Sequence, residues 1–230
     1  GLKDFAAAEL RRLFGEAAKL VEAGRPEELP FQYDGSLANL LTLRQSLALY
    51  LVRHFAVPRP QALLGHQHFT ELLRMISTVR SLHPAGTFRT FKISAAGSSS
   101  SVFQRIRSEL QQATGLTFDD DEADLVQRVR PALIEPAGWD VLIRLSPRPL
   151  SARAWRVCDM LGALNAVIAT VMVEMTNPRP DDRVLNLMCG SGTLLIERLL
   201  RAPATAAGGC DIDLAALRCA DANLRAAGVQ

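Results

Sequence analysis

The sequence predicts two fold classes in series: an α+β N-terminal portion and, in its last third, the start of an α/β unit. Three observations carry this expectation. Residues 184–193, Val-Leu-Asn-Leu-Met-Cys-Gly-Ser-Gly-Thr, read as an apolar strand, a loop with Gly190 and Gly192 one residue apart, and the beginning of a helix. Ala204–Gly209 then leads to Cys210 and Asp211, and Leu214–Ala227 has the apolar spacing of an amphipathic helix with Asp213 at its N-cap. Earlier in the chain, helical and alternating stretches follow one another over short intervals, the pattern of an α+β fold.

In chain order, Leu2–Phe14 reads as an amphipathic helix, Ala17–Glu22 and Leu29–Tyr33 as short strands, Ser36–Leu43 as a helix capped by Ser36, and Leu47–Val57 as a strand. Pro58-Arg59-Pro60 breaks that pattern. A second unit begins near Gln67. Phe69–Leu82 has helical spacing, Phe88–Ser94 alternates like a strand, and Val102–Ala113 is a helix ended by Thr114-Gly115. Strands at Leu125–Arg130 and Trp139–Leu145 complete it, and the serine run Ser98–Ser101 reads as a loop. Domain boundaries are expected at 65/66 and 157/158.

Composition bounds the functional classes. The chain has 230 residues, 48% of them apolar, enough to bury a core in one large or two small domains. Its formal net charge of +2 excludes a polycationic tail and leaves nucleic-acid binding to local patches. Before residue 161 there are 20 Lys and Arg against 17 Asp and Glu, so the basic excess lies in the N-terminal portion. Cys158, Cys189, Cys210 and Cys219 form no Cys-x-x-Cys pair and have no histidine at ligand spacing, which argues against a metal and for a reducing, cytoplasmic setting. No segment approaches the roughly 18 apolar residues of a membrane helix, and no secretion signal is visible. Asp119–Glu122 lacks the spacing of a calcium loop and reads as a solvated turn. His54, His66, His68 and His83 have no nucleophile at motif spacing.

The glycine loop points to a ligand. Glycines at 190 and 192 let backbone N–H groups and a helix N-terminus approach a small molecule. Leu195 stands where a dinucleotide fingerprint wants a third small residue, which places a nicotinamide dehydrogenase well behind other readings. No lysine follows for a Walker loop. Asp211, about 20 residues beyond the glycines, falls where a carboxylate takes the hydroxyls of a ribose. A phosphate-free nucleoside suits this pattern, and S-adenosylmethionine is the common cofactor of that kind. Cys189 reads as a small residue in a crowded loop rather than a nucleophile. Arg144, Arg148, Arg153 and Arg156 cluster around Trp155, which suits RNA phosphates and an unstacked base. The alternative is that Arg153 and Arg156 pair with acids while Trp155 packs as core.

Asn186–Thr193, followed by Ile196-Glu197, resembles the Asp-Pro-Met-Cys-Gly-Ser-Gly-Thr motif of THUMP-domain-containing, S-adenosylmethionine-dependent RNA methyltransferases. Gly1–Leu10, Ala113–Leu116, Leu125–Val129, Trp139–Leu145, Pro149–Arg156 and Leu164–Ala169 are similar to further segments of the same enzymes, in the same order. The resemblance implies an N-terminal ferredoxin-like domain over 1–65, a THUMP RNA-binding domain over 66–157, and the first part of a Rossmann-like methyltransferase sheet over 158–230. It implies S-adenosylmethionine as cofactor, held by Asn186, Met188, Cys189, Gly190, Ser191, Gly192, Thr193, Asp211 and Ile212. Structured RNA, transfer or ribosomal, is the implied partner, and guanine N2 the implied acceptor. Asn186 and Leu187 replace the family's Asp-Pro, and Ala166 and Val167 replace a frequent Pro-Thr. The Asn/Asp-Pro-Pro-Tyr/Phe acceptor motif does not occur, so no catalytic residue is assigned and this stretch alone is expected to be inactive. A non-catalytic RNA-binding protein is the alternative.

Overall fold

A computed structural model describes residues 2–22, 24–133 and 136–229; Gly1, which opens the N-terminal stretch of the resemblance, lies outside them. Two compact units divide the chain, and neither is continuous in sequence. One comprises the residues up to Leu13, Leu43–Leu47 and everything from Leu150 onward; the other comprises Phe14–Thr42 and Ala48–Pro149. These units do not follow the boundaries expected at 65/66 and 157/158, because long-range pairing brings together segments distant in sequence.

The second unit holds helices α2 (Leu37–Leu40), α3 (His66–Ser81) and α4 (Ser101–Thr114). Strands β1 (Ala18–Leu20) and β2 (Phe31–Tyr33) form an antiparallel pair. A five-stranded mixed sheet comprises β3 (Tyr50–Phe55), β4 (Thr90–Ala95), β5 (Thr117–Phe118), β6 (Leu125–Pro131) and β7 (Trp139–Arg144), in the order β3-β7-β6-β4-β5. β3 pairs antiparallel with β7, from Tyr50 opposite Arg144 to Phe55 opposite Trp139. That pairing carries β3 across the boundary at 65/66. The core consists of Phe91, Ile93, Leu125, Val141 and Ile143 with Leu72, Met75, Ile76 and Val79 of α3 and Phe103, Ile106 and Leu110 of α4. Apolar residues three and four apart on each helix supply the buried stripe. Helix α4 stops at Thr114 as expected. Helix α2 is a single turn instead of Ser36–Leu43, and the Ser36 side chain makes no capping hydrogen bond.

The first unit contains α1 (Lys3–Phe14, through Leu13), α5 (Ala166–Met175), β8 (Arg183–Leu187), α6 (Thr193–Arg201), β9 (Ala206–Cys210) and α7 (Leu214–Ala227). β8 and β9 are parallel, joined by a crossover through α6, as an α/β unit requires. A buried polar network ties its segments together. Glu9 of α1, 3% exposed, accepts the N–H groups of Arg44 and Gln45 at 2.9–3.2 Å, which takes those amides out of any extension of α2. Glu197 of α6 accepts from Arg44 (Nη2, 2.7 Å), Arg153 (Nε, 2.9 Å) and Thr170 Oγ1 (2.8 Å). Arg153 also donates to the carbonyl oxygens of Arg44 and Leu150.

Candidate functional site

Strand β8 ends at Leu187, and the next five residues make the loop that opens α6. Met188, Gly190 and Gly192 all have positive φ, at 56°, 53° and 78°. Met188 is one of two non-glycine residues in that region among those described, and such outliers gather at ligand sites. The Cys189 N–H donates to the carbonyl of Cys210 and the Gly192 N–H to that of Cys189, both at 2.9 Å, which fixes the loop against the end of β9. At Gly192 an added Cβ would lie 3.1 Å from Ala220 Cβ of α7, whereas at Gly190 nothing lies within 4 Å. The two glycines thus serve different ends: one lets α6 approach α7, the other leaves space open. Gly192→Ala is expected to destabilise the fold by about 1–3 kcal/mol through strain and crowding, with Gly190→Ala nearer the lower limit; urea unfolding of both variants checks the order.

Beside this loop lies a cleft of about 210 Å³. Asn186, Met188, Cys189, Gly190, Ser191, Thr193 and Leu194 form one wall and Met160–Leu164 the other. Six of the nine residues expected at a cofactor therefore line one cavity. Of the other three, Gly192 shapes the loop, Ile212 is fully exposed, and Asp211 acts through hydrogen bonds. The 160–164 wall was not foreseen, and a pair of small residues, Gly162 and Ala163, was its only signal in the sequence.

Asp211 follows β9 directly, and its carboxylate turns toward the glycine loop. Oδ2 accepts the Gly190 N–H at 2.8 Å and Oδ1 the Asp213 N–H at 3.0 Å. The N–H groups of Asp213 and Gly190 hold this carboxyl below the usual aspartate range. Asp213 caps α7 as expected, accepting from Ala215 N at 2.8 Å. Cys189 is buried against Gly209, and burial pushes its thiol up, which disfavours the thiolate.

The arginine cluster comes apart. Arg144 is buried and donates to the carbonyl oxygens of Ser146, Pro147 and Asp124, with its pKa lowered by burial. Arg153, its side chain 7% exposed, is committed to Glu197. Trp155 is core, and Arg156 donates to the Leu164 carbonyl at 2.7 Å and Thr193 Oγ1 at 2.9 Å. Arg144, Arg153 and Arg156 thus direct donors to groups inside the protein, while Trp155 Nε1 and Arg156 Nε are buried without a partner. Arg148 alone of the five is exposed. Asp119 Oδ1 accepts from the Asp121 and Glu122 amides in a turn, His54 pairs with Asp140, and His83 bonds the Leu145 carbonyl. Cys158 and Cys219, at no motif spacing, form a disulfide that the reading of a reducing setting did not foresee, while Cys189 and Cys210 are free. No helix among the described residues is long and apolar enough to cross a membrane.

Comparison with known proteins bears on the fold. Residues 153–230 match the family UPF0020, described as RMKL-like, methyltransferase domain. A tRNA (guanine(6)-N2)-methyltransferase of Thermus thermophilus is 27% identical over 207 residues, 86% of this chain; the chain spans 57% of that relative's length. Among solved structures, TrmN from Thermus thermophilus superposes with a TM-score of 0.64 at 22% identity, covering 100% of this chain and 68% of TrmN. A predicted N6-adenine-specific DNA methylase from Listeria monocytogenes gives 0.60 at 15% identity, with 100% and 70% covered. SMU.472, solved with SAH, gives 0.57 at 16%, with 99% and 70% covered. The fold is that of these proteins, and residues 153–230 are similar in sequence to the RMKL-like methyltransferase-domain family.

Proposed function

We propose that the cleft beside the glycine loop binds S-adenosylmethionine, and that the protein to which this chain belongs methylates RNA. The observation that carries the reading is the Asp211 carboxylate, locked onto the Gly190 N–H at the end of the second parallel strand. An ionised carboxylate has about four acceptor sites; the Gly190 N–H occupies one and the Asp213 N–H another, and acceptor capacity is left for a ribose hydroxyl. Open space at Gly190 lets a ligand lie directly on the backbone, and Asn186 is among the residues that line the cleft. No phosphate-binding lysine is needed for such a ligand. The residues present therefore fit the cofactor.

Bound there, the sulfonium supplies an electrophilic methyl group with its own leaving group. The chain's residues hold and orient it, with Met160–Leu164 along one side. The substrate is a guanine N2 in structured RNA, tRNA above all. This rests on the named activity of the Thermus relative, not on the arginine cluster, whose members are mostly interior. The five-stranded unit serves as the RNA-binding THUMP module, and the protein works in the cytoplasm. Isothermal titration of the whole protein should give saturable binding of S-adenosylmethionine and S-adenosylhomocysteine and none of NAD(P). Binding of NAD(P) alone would overturn the assignment.

A further inference from the structure

The inner wall of the cleft, Met160–Leu164, belongs to no helix or strand, yet both of its ends are pinned. At the C-terminal end, the Arg156 guanidinium holds the Leu164 carbonyl, and Asn165 caps α5 by accepting the Val167 N–H. At the N-terminal end, Cys158 is joined to Cys219 of α7 by the disulfide. One turn further along α7, Asn223 is fully buried. Its Oδ1 accepts the Cys158 N–H at 2.9 Å, while its Nδ2 donates to the Cys158 carbonyl at 2.9 Å and to the Ser191 carbonyl at 3.0 Å. One side chain thus touches both walls: the strap at Cys158 and the glycine loop at Ser191.

We propose that Asn223 and the Cys158–Cys219 disulfide together set the cleft's affinity, as positioning groups that touch no ligand, so that binding is redox-sensitive. The proposal rests on the cleft being the cofactor site. Between its pinned ends the strap's bonds are local, Ala163 N–H to the Met160 carbonyl and Met160 N–H to Asp159 Oδ1, both at 3.0 Å, with Asp159 paired to Arg156; Leu161 at its apex is fully exposed, and Gly162 has open space where a Cβ would be. Loss of an anchor leaves the strap free to leave the wall. Cys158 is only half-buried, which gives a thiol reductant a path to the bond. In the reaction a dithiol gives two electrons and two protons to the Sγ–Sγ bond; Cys158 and Cys219 become thiols and the dithiol becomes a disulfide. In a reducing compartment such a bond is a reversible element, not a permanent staple.

The test is isothermal titration of the whole protein with S-adenosylhomocysteine, oxidised and after dithiothreitol, alongside Cys158→Ser and Asn223→Asp. Circular dichroism gives the folded fraction of each sample. Reduction and Cys158→Ser should each weaken binding about tenfold per folded molecule, the factor for a strap competent about a tenth of the time. Dithiothreitol should then change nothing further in Cys158→Ser, and reoxidation of the wild type should restore its affinity. Asn223→Asp keeps the acceptor for Cys158 N–H but loses both donated bonds, and should bind more weakly even when oxidised. Unchanged affinity with lowered melting temperature would mean that both groups only stabilise the fold, and would overturn the proposal. Absence of binding by the oxidised wild type would overturn the cofactor reading itself, a distinct result.

Discussion

Glu197→Ala is expected to destabilise the protein by about 3–5 kcal/mol, the range for breaking a buried ion pair by removing one partner. The Glu197 side chain has no exposed surface, and it is the shared acceptor for Arg44, Arg153 and Thr170. Burial already lowers the pKa of Arg153, against the opposing pull of Glu197, yet a guanidinium stays protonated at neutral pH. Removing the carboxylate therefore leaves a buried cation facing an empty space. Glu197→Gln should lose less, because one amide oxygen still accepts from an arginine while the amide nitrogen opposes the other. The order alanine, glutamine, wild type in urea midpoint checks the assignment. Equal midpoints would mean that the network carries no stability. The residue stands four places after Thr193, within a motif associated with the cofactor, but its side chain works inside the fold.

How much was legible in the sequence follows from the range of the interactions. The strand, glycine loop, helix and second strand at 184–210 were readable because each signal is local: glycines where φ turns positive, an aspartate two residues before an amide it caps. Asp211 could be placed for the same reason, from the position of the following helix. What escaped reading is set by groups far apart in the chain. Glu9 accepts amides about 35 positions away, β3 finds its partner in β7, and Cys158 reaches a cysteine 61 residues on, at no motif spacing. The arginines failed for a related reason. A guanidinium that closes an internal network and one that faces RNA have the same neighbours in sequence, and only the presence of Glu197 and the Leu164 and Ser146 carbonyls tells them apart. Asn223 gave one faint sign, an amide in the middle of an amphipathic helix, where an asparagine has no propensity reason to be.

Asp211→Asn is the change expected to separate loop geometry from ligand contact. The amide can accept one of the two N–H groups that the carboxylate now takes, and it turns a donor toward the other. With Gly190 or Asp213 left without its acceptor, the loop relaxes and a ribose loses a charged acceptor. The affinity for S-adenosylhomocysteine should fall by about tenfold or more, since hydrogen bonds to charged groups are the stronger kind. The wild-type pH profile gives an independent check. The folded-state pKa of Asp211 lies below its ordinary value, so the stabilising contribution is complete above that ordinary value and is lost only as pH falls through the lower, folded one. Binding by the wild type should hold level while free aspartates titrate and decline only in more acid solution. In Asp211→Asn this acid limb should be missing, with affinity low throughout. A variant that keeps wild-type affinity at neutral pH would remove Asp211 from the site and, with it, the ribose-gripping role on which the cofactor assignment stands.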